Sequence, residues 1–510
     1  MGGICTKKNR SAAAKIISCF VIVSIAVVSG WLGFVNRGKQ PCPDVTVPVR
    51  NVSASDGGSE ESLPVSNDEL LPVKEKAVVK FVIINKKTYI RKKADDKSEI
   101  ISTLDKGFES KYLSEKEEYY KIRYDDFNDG WVPKSNSELI EKETEITYAP
   151  KHTLDTAFSL SESKEGEDLG AILRKYSTVG AEIAVIKDGH VTYHYEYGYA
   201  DKEDKIKVNE NTKFRVASLS KVFTSMLAMA EVNDGKLDLD ADISDYFGYK
   251  FRHPKYPDIA ITSRMLLTHS AGYSDKQGYR EALSTVADSA DYYSYKPGSK
   301  HLYSNLSIGI AGAVVEKAAN QTLSQYSRDR FFSPMGIDAS YYSNYLSDTS
   351  LIANCYFHGT VKYSRESIME SRESKNVSPG YIYYTGQSAL LISAVDLAKV
   401  TTVLMNEGQY DGKEYLSPET VNQMLAVQPV RTQTKYEQCI GIRKYTHLVG
   451  ERDMYYHTGN YYGVYALLAF DPADKSGVVI ITSGANSVRD DNTIFGVCND
   501  VMDYCYSKLL

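Results

Sequence analysis

Ser218 and Lys221 stand three residues apart in the stretch Phe214-Arg215-Val216-Ala217-Ser218-Leu219-Ser220-Lys221-Val222-Phe223-Thr224, at the head of an apolar run from Val222 to Val232. If that run is a helix, residues three apart share one face, and the hydroxyl and the amine sit side by side at the helix N-terminus. Unpaired N–H groups and the positive end of the helix dipole favour a developing negative charge there. A Ser is a weak nucleophile until a neighbouring base takes its proton, and a desolvated Lys amine can be that base. The spacing alone is not specific. Ser161-Glu162-Ser163-Lys164 repeats it in an acidic, polar stretch with no apolar helix behind it, and that copy reads as surface.

Three further stretches add to the first. Pro297-Gly298-Ser299-Lys300-His301-Leu302-Tyr303-Ser304-Asn305 ends in Y-x-N and runs into a Gly- and Ala-rich helix. A Tyr hydroxyl beside a Lys amine can shuttle protons, and an Asn amide can orient both the Lys and a substrate. Tyr456-His457-Thr458-Gly459-Asn460 precedes an expected strand from Tyr462 to Phe470, with Gly459 and Gly463 allowing backbone to approach a ligand. Met265-Leu266-Leu267-Thr268-His269-Ser270-Ala271-Gly272-Tyr273 reads as a helix end followed by a loop, with His269 a structural loop residue rather than a base.

In this order the motifs resemble the serine β-lactamase and penicillin-binding-protein superfamily, in its class C-like branch. That branch shows S-x-x-K, then Y-x-N, then K-T-G or H-T-G. Gly235-Lys236-Leu237-Asp238-Leu239-Asp240, the L-L-T-H-x-x-G loop and Ser393-Ala394-Val395-Asp396-Leu397-Ala398 are similar to further pieces of it. The resemblance implies Ser218 as the acylated nucleophile, with Lys221 and Tyr303 sharing the base and acid roles in an order left open. It implies Asn305 as a contact for the substrate amide. The backbone N–H groups of Ser218 and Asn460 would form an oxyanion hole. His457 and Thr458 would face the carboxylate side of the substrate, with Gly459 a further substrate contact through its backbone. His457 replaces the Lys of typical class C β-lactamases, and the H-T-G form resembles D-alanyl-D-alanine carboxypeptidases and related esterases. An imidazole of pKa about 6.5 is largely neutral at neutral pH, which weakens fixed-charge attraction for a carboxylate.

These residues need elements to hold them. Ala181 to Ile186 and Val191 to Tyr199 flank Lys187-Asp188-Gly189, a strong hairpin signal. Tyr462 to Phe470 and Val478 to Thr482 read as two more strands, and a final helix places Ile494, Val497, Cys498, Val501 and Cys505 on one face. Strands at both ends with helices between predict a mixed α/β (α+β) domain over 156–510: an antiparallel sheet built from both ends, flanked by helices, with a helical insertion.

Ahead of it, 77–140 carries short strand-like pieces with turn signals, among them Tyr119-Tyr120-Lys121-Ile122-Arg123-Tyr124 before Asp129-Gly130-Trp131-Val132-Pro133, a series that resembles bacterial SH3 domains and implies a small all-β barrel. A polar linker, 141–155, joins the two. Residues 36–76 are Pro-, Ser- and acid-rich and read as a disordered stalk. Residues 16–35 contain no charged residue and follow Lys7, Lys8, Arg10 and Lys15, which favours a transmembrane helix with residues 1–15 in the cytoplasm and the rest outside. A cleaved signal peptide is the competing reading, although the apolar run is long for one and no A-x-A site follows. Met1-Gly2 begins a myristoylation-like pattern, which beside a membrane span reads as coincidence.

The 510 residues have a net charge of -6, 25% charged and 42% hydrophobic, an ordinary globular balance that gives no reason to expect nucleic acid. Seven scattered Cys include no C-x-x-C pair, so neither a zinc ribbon nor a disulfide framework is expected. The expected chemistry needs no metal and no organic cofactor. The expected partners are a cell-wall peptide or D-alanyl ester as substrate, the membrane through 16–35, and peptidoglycan at the SH3-like module. A D-alanyl or other esterase, a β-lactamase, and a non-catalytic penicillin-sensing or wall-binding role remain as other readings.

Overall fold

The computed structural model describes residues 73–124, 129–148, 157–276, 283–374, 377–381, 384–489 and 494–510. The expected cytoplasmic segment, membrane span and nearly all of the stalk lie outside the described residues. Among those described, no helix is long and apolar enough to cross a membrane.

Residues 73–148 form a seven-stranded antiparallel sheet in the order Ile100–Leu104, Thr88–Arg91, Asp129–Pro133, Tyr119–Arg123, Glu109–Lys116, Val73–Ile84, Ser137–Tyr148. Period-2 alternation puts Val82, Ile84, Ile90, Leu104, Ile122 and Val132 in one small core. The two longest strands pair over their whole length, from Val73↔Tyr148 to Ile84↔Ser137. Residues 141–148, expected as linker, are therefore strand, as are 73–76 at the end of the expected stalk.

The larger unit is built on a nine-stranded sheet. Its first hairpin, Gly180–Lys187 and His190–Asp201, turns at Asp188 and Gly189 with φ of 53° and 78°. These are the left-handed angles of a type I′ turn, which explains the D-G signal. Gly180–Lys187 then pairs with Ser476–Ser483, Ile183 opposite Ile480, so the two ends of the domain meet in the middle of one sheet. Val464–Asp471, Met454–Tyr461 and Arg443–Tyr445 continue it outward. The central strands are buried on both faces, as their unbroken apolar runs require.

Alternate residues of those strands face two different layers. Ile183, Val185, Leu467, Val478 and Ile480 pack on Lys164–Lys175 and Gly496–Lys508, the first and last helices. Ala184, Ile186, Leu468, Val479 and Ile481 pack on the central helical layer. The first helix begins at Lys164 because Ser163 caps it, its Oγ accepting the Gly166 N–H at 3.1 Å. The second S-x-x-K is thus a helix start, with Leu169 and Leu173 buried behind it. The helical layer is tied to the sheet by Glu182, a fully buried carboxylate that accepts the N–H groups of Ala394 at 2.9 Å and Val395 at 3.3 Å. Burial pushes its carboxyl well above the usual range.

At the centre of the helical layer Ser220–Asn233 packs against Asn305–Ala319, both buried on most sides. Phe223 stacks on Phe332 at 4.7 Å and meets Phe331 edge-on at 5.6 Å. Truncating such a ring to Ala costs about 3–5 kcal/mol. The helix that follows Ser218 is therefore a fixed post rather than a surface element. The four described cysteines, Cys355, Cys439, Cys498 and Cys505, are buried free thiols.

Candidate active site

Ser218 does not sit in the α-helix itself. It lies in a 3-10 turn, Ala217–Leu219, that feeds directly into Ser220–Asn233. Ala217 has a φ of 52°, a left-handed conformation that is strained for a residue with a Cβ. Ser220 locks this turn: its Oγ donates to the Ala217 carbonyl at 2.6 Å and accepts the Leu390 N–H at 3.1 Å. Ser218 is left half-buried and points into the site. Lys221, fully buried, places Nζ 3.0 Å from Ser218 Oγ and 2.6 Å from the carbonyl of Gln387. Tyr303 OH lies 3.0 Å from the same Oγ. One hydroxyl thus has two groups in reach that can take or return a proton.

Tyr303 is held from both sides. Its ring lies against His269 at 4.5 Å, and the His269 carbonyl accepts the Leu302 N–H at 2.9 Å. His269 Nδ1 sits 3.2 Å from the Ser304 nitrogen and 3.1 Å from its carbonyl oxygen. Burial pushes the His269 imidazole well below its usual range, with the nearby cations adding to it, so the ring is a neutral brace.

On the far side Ser304 caps the next helix, Oγ accepting the Ser307 N–H at 3.1 Å. Asp275 completes that helix end, accepting the N–H groups of Asn305 at 2.9 Å and Leu306 at 3.0 Å. A carboxylate is favoured at a helix N-terminus by the same dipole argument. Asp275 also accepts the Asn305 side-chain Nδ2 at 2.9 Å. The amide expected to meet substrate is thus oriented by a carboxylate, which leaves its carbonyl oxygen as the group for a substrate N–H.

The H-T-G motif lies inside a strand of its own, Met454–Tyr461, and Tyr462 is in the turn that follows. The expected strand start at Tyr462 is corrected to Val464, because two left-handed residues, Tyr462 and Gly463, separate the strands. Gly459 is where this strand crosses the Ser218 turn. A Cβ there would stand 2.6 Å from the Val216 carbonyl oxygen and 3.5 Å from the Ala217 Cβ, so only Gly permits the approach. Asn460, exposed, follows it and pairs with Tyr465 across the hairpin.

His457 is buried and its Nδ1 lies 2.9 Å from the Thr458 carbonyl. A carbonyl only accepts, so Nδ1 carries the proton and Nε2 is left as an acceptor. Burial pushes this imidazole well below its usual range, and the charges of Arg443 and Lys221 push the same way. His457 is neutral and supplies no fixed charge.

Arg443 does supply one, and the sequence reading missed it. It lies on the strand next to the H-T-G strand, opposite Tyr456, and is nearly buried. Its Nη1 is 3.5 Å from Thr458 Oγ1 and its guanidinium lies 5.7 Å from the Tyr303 ring centre and 4.6 Å from that of Tyr436. A three-residue strand carries no periodic signal that would have drawn attention to it. Gln387 was missed because a backbone carbonyl has no side-chain signature, and Asp275 because it lies alone in a polar loop. Among the described residues, no group of three or more His, Cys, Asp or Glu is arranged to hold a metal ion.

Solved structures share this architecture. A class C beta-lactamase superposes with a TM-score of 0.54 at 20% identity, covering 69% of this chain and 98% of that one. A beta-lactamase/D-alanine carboxypeptidase from Pseudomonas syringae gives 0.53 at 20% identity over 70% of this chain and 100% of that one. D-alanine carboxypeptidase AmpC from Burkholderia cenocepacia gives 0.51 at 18% over 68% and 98%. Identities this low show the fold alone. Among curated relatives, Protein flp of Staphylococcus aureus (strain MW2) is 27% identical over 172 residues, 32% of this chain and 34% of its own length. A beta-lactamase of Pseudomonas fluorescens is 30% identical over 190 residues, 36% of this chain and 52% of its own. The chain thus spans only about a third to a half of the curated relatives it matches. The family model for Beta-lactamase matches residues 164–496, which takes in every motif above from Ser218 to Asn460, and the chain belongs to that family of serine hydrolases.

Proposed function

We propose that this protein is a D-alanyl-D-alanine carboxypeptidase-like hydrolase that acts on cell-wall peptides through an acyl-enzyme on Ser218. The observation that carries the reading is the meeting of Lys221 Nζ and Tyr303 OH at Ser218 Oγ, each at 3.0 Å. The Oγ attacks the scissile carbonyl, its proton passes to Lys221 or Tyr303, and an oxyanion forms against the backbone N–H groups of Ser218 and Asn460. The C–N bond then breaks, the leaving amine takes that proton, and the acyl group stays on Ser218. Water repeats the sequence: it loses a proton to the same groups, attacks the ester carbonyl, and Ser218 leaves as the hydroxyl. Arg443, beside Thr458, supports a substrate that ends in a free carboxylate, since a guanidinium is suited to that group. His457, Thr458 and Gly459 line that side, and the Asn305 carbonyl meets the substrate amide.

The protein would work outside the cytoplasm, anchored through 16–35, with the 77–140 module holding it to peptidoglycan. The charge-free span and its preceding basic residues support the anchor.

The test is product analysis on a D-Ala-D-Ala peptide, a D-alanyl ester and a penicillin, with Ser218→Ala as control. Release of D-alanine from the peptide, lost in Ser218→Ala, is the expected result. Turnover of the ester alone makes the protein an esterase, and turnover of the penicillin alone a β-lactamase. Penicillin labelling with no turnover of any of them makes it a sensor. Lys221→Ala and Tyr303→Phe should each lower kcat by about 10² to 10⁴ on the accepted substrate.

A further inference from the structure

The H-T-G strand ends in a turn that its sequence does not favour. Tyr461 closes that strand, Val464 opens the next, and the two residues between them have φ of 45° at Tyr462 and 83° at Gly463. This is the two-residue type I′ hairpin, which prefers Asn, Asp or Gly at its first position. Gly463 is dictated by its neighbour, since a Cβ there would lie 1.9 Å from the Tyr356 carbonyl oxygen. Nothing in the turn dictates Tyr462. It is a bulky residue held left-handed, with 47% of its surface exposed. A disfavoured conformation kept at the edge of a reaction site is grounds for asking what the side chain does.

The Tyr462 ring is one wall of an aromatic corner. It lies 4.5 Å from the Tyr461 ring at 61°, and 6.0 Å from that of Tyr363 at 33°. Tyr363 meets Tyr461 edge-on at 5.7 Å. The guanidinium of Arg215 fixes two of these rings, 4.3 Å from Tyr461 and 5.6 Å from Tyr363. Arg215 is three residues before Ser218, and its Nε donates to the Ser388 carbonyl at 3.1 Å, next to the Gln387 carbonyl that holds Lys221. The corner is therefore joined to both segments that position the reacting groups.

Its place along the strand sets its role. Gly459 touches the Ser218 turn. Thr458 and Arg443 lie to one side of it, and Tyr461 and Tyr462 to the other, about 7–10 Å along at ~3.3 Å per residue. We propose that Tyr363, Tyr461 and Tyr462 bind a flat apolar ring carried on the acyl portion of the substrate. The cleft then reads a ring at one end and a carboxylate at the other. Rings set tilted and edge-on to one another offer a third ring both offset-stacked and T-shaped contacts. Because Arg215 is engaged with the tyrosines, the surface presented is aromatic rather than ionic. This proposal rests on the acyl-enzyme reading above and adds a second substrate class, aryl-acyl esters and amides, since the acyl portion of a cell-wall D-alanyl peptide carries no aromatic ring.

The experiment uses the full-length protein and two esters of D-lactate, one acetyl and one phenylacetyl, so that the leaving group is constant. Wild type should favour the phenylacetyl ester in kcat/KM by about two- to tenfold. Tyr462→Gly should bring that ratio near one while raising Tm, because Gly fits the turn. Tyr363→Leu, which leaves the turn untouched, should lower the ratio without that rise. Equal kcat/KM for the two esters in wild type overturns the proposal, and so does an unaltered ratio in both variants. If neither ester shows turnover dependent on Ser218, the acyl-enzyme reading itself fails, and the proposal with it.

Discussion

Arg443 Nη1 lies 3.5 Å from Thr458 Oγ1, so a buried guanidinium stands directly behind the hydroxyl of the H-T-G motif. The imidazole before that hydroxyl is neutral. The positive charge on this side of the cleft therefore comes not from the motif but from Arg443 on the neighbouring strand and from Arg489, whose charge acts on Arg443, Tyr303 and His457. A Lys in the motif would reach a carboxylate as a point charge, whereas a guanidinium fixed by the rings of Tyr303 and Tyr436 offers a planar fork.

Replacing that fork should change substrate choice more than chemistry. Arg443→Leu should lower kcat/KM by about 10- to 100-fold for substrates ending in a free carboxylate, the range of a hydrogen bond to a charged group. For the matching C-terminal amides the loss should be several-fold smaller. Arg443→Lys should recover part of the difference. Steady-state kinetics on the paired substrates decides it, and an equal loss on both would assign Arg443 to packing alone.

Ser220 and Ser218 should separate cleanly. Ser218→Ala should lose the covalent adduct seen by intact-mass spectrometry after an activated phosphonate. Ser220→Ala should keep the adduct but lose about 1–3 kcal/mol of stability, because the Leu390 N–H loses its acceptor in a buried site. An adduct on Ser220 would falsify the assignment of the nucleophile.

Much of this was legible in the chain, for identifiable reasons. The D-G hairpin could be read because Asp188 and Gly189 are among the few residues that accept left-handed angles at low cost. The final helix could be read because Val497, Cys498, Val501 and Cys505 share one buried face. Ser218 and Lys221 could be singled out by their spacing and Tyr303 by the order of the motifs, and the structure brings the three together. What escaped has no local pattern. Arg443 acts from an adjacent strand, Asp275 from a loop 30 residues before Asn305, and Gln387 through its main chain. The strand that carries H-T-G, Met454–Tyr461, was not expected, and the next one starts at Val464 rather than Tyr462, since Tyr462 reads as strand by propensity and the tertiary fit of Gly463 forces a turn there.

The buried histidines should make the protein acid-sensitive. Burial, helped by Arg443, pushes the His301 imidazole down to about 4. In the unfolded chain its pKa is near 6.5. Above that pH the group is neutral in both states and contributes nothing to the pH dependence. As pH falls from about 6.5 to 4 the unfolded chain takes up a proton that the folded one refuses, and up to about 3 kcal/mol of stability is lost. His301→Phe should keep the edge-on contacts to His269 and Tyr436 and flatten this part of the curve by about one proton. Urea unfolding at pH 7, 6, 5 and 4 measures the slope. A variant with the wild-type slope would mean that His301 titrates normally in the fold.

The sharpest test of the site geometry is a single methyl group. Gly459→Ala places a Cβ 2.6 Å from the Val216 carbonyl oxygen, which is backbone and cannot swing away. The strand carrying Thr458 and Asn460 must then move off the turn carrying Ser218. That separates the two N–H groups proposed to hold the oxyanion. A misplacement of roughly 1 Å at a reacting centre costs about 10² in rate, so kcat/KM should fall by that order. The variant should still fold, because the rest of the sheet is undisturbed. Gly312→Ala is the matching control: it lies inside the Asn305–Ala319 helix, where a Cβ meets nothing closer than 3.6 Å. There Ala gains up to about 1 kcal/mol of helix propensity, and kcat/KM should hold at the wild-type value. Wild-type kcat/KM in Gly459→Ala would show that the approach of this strand to the Ser218 turn plays no part in the reaction.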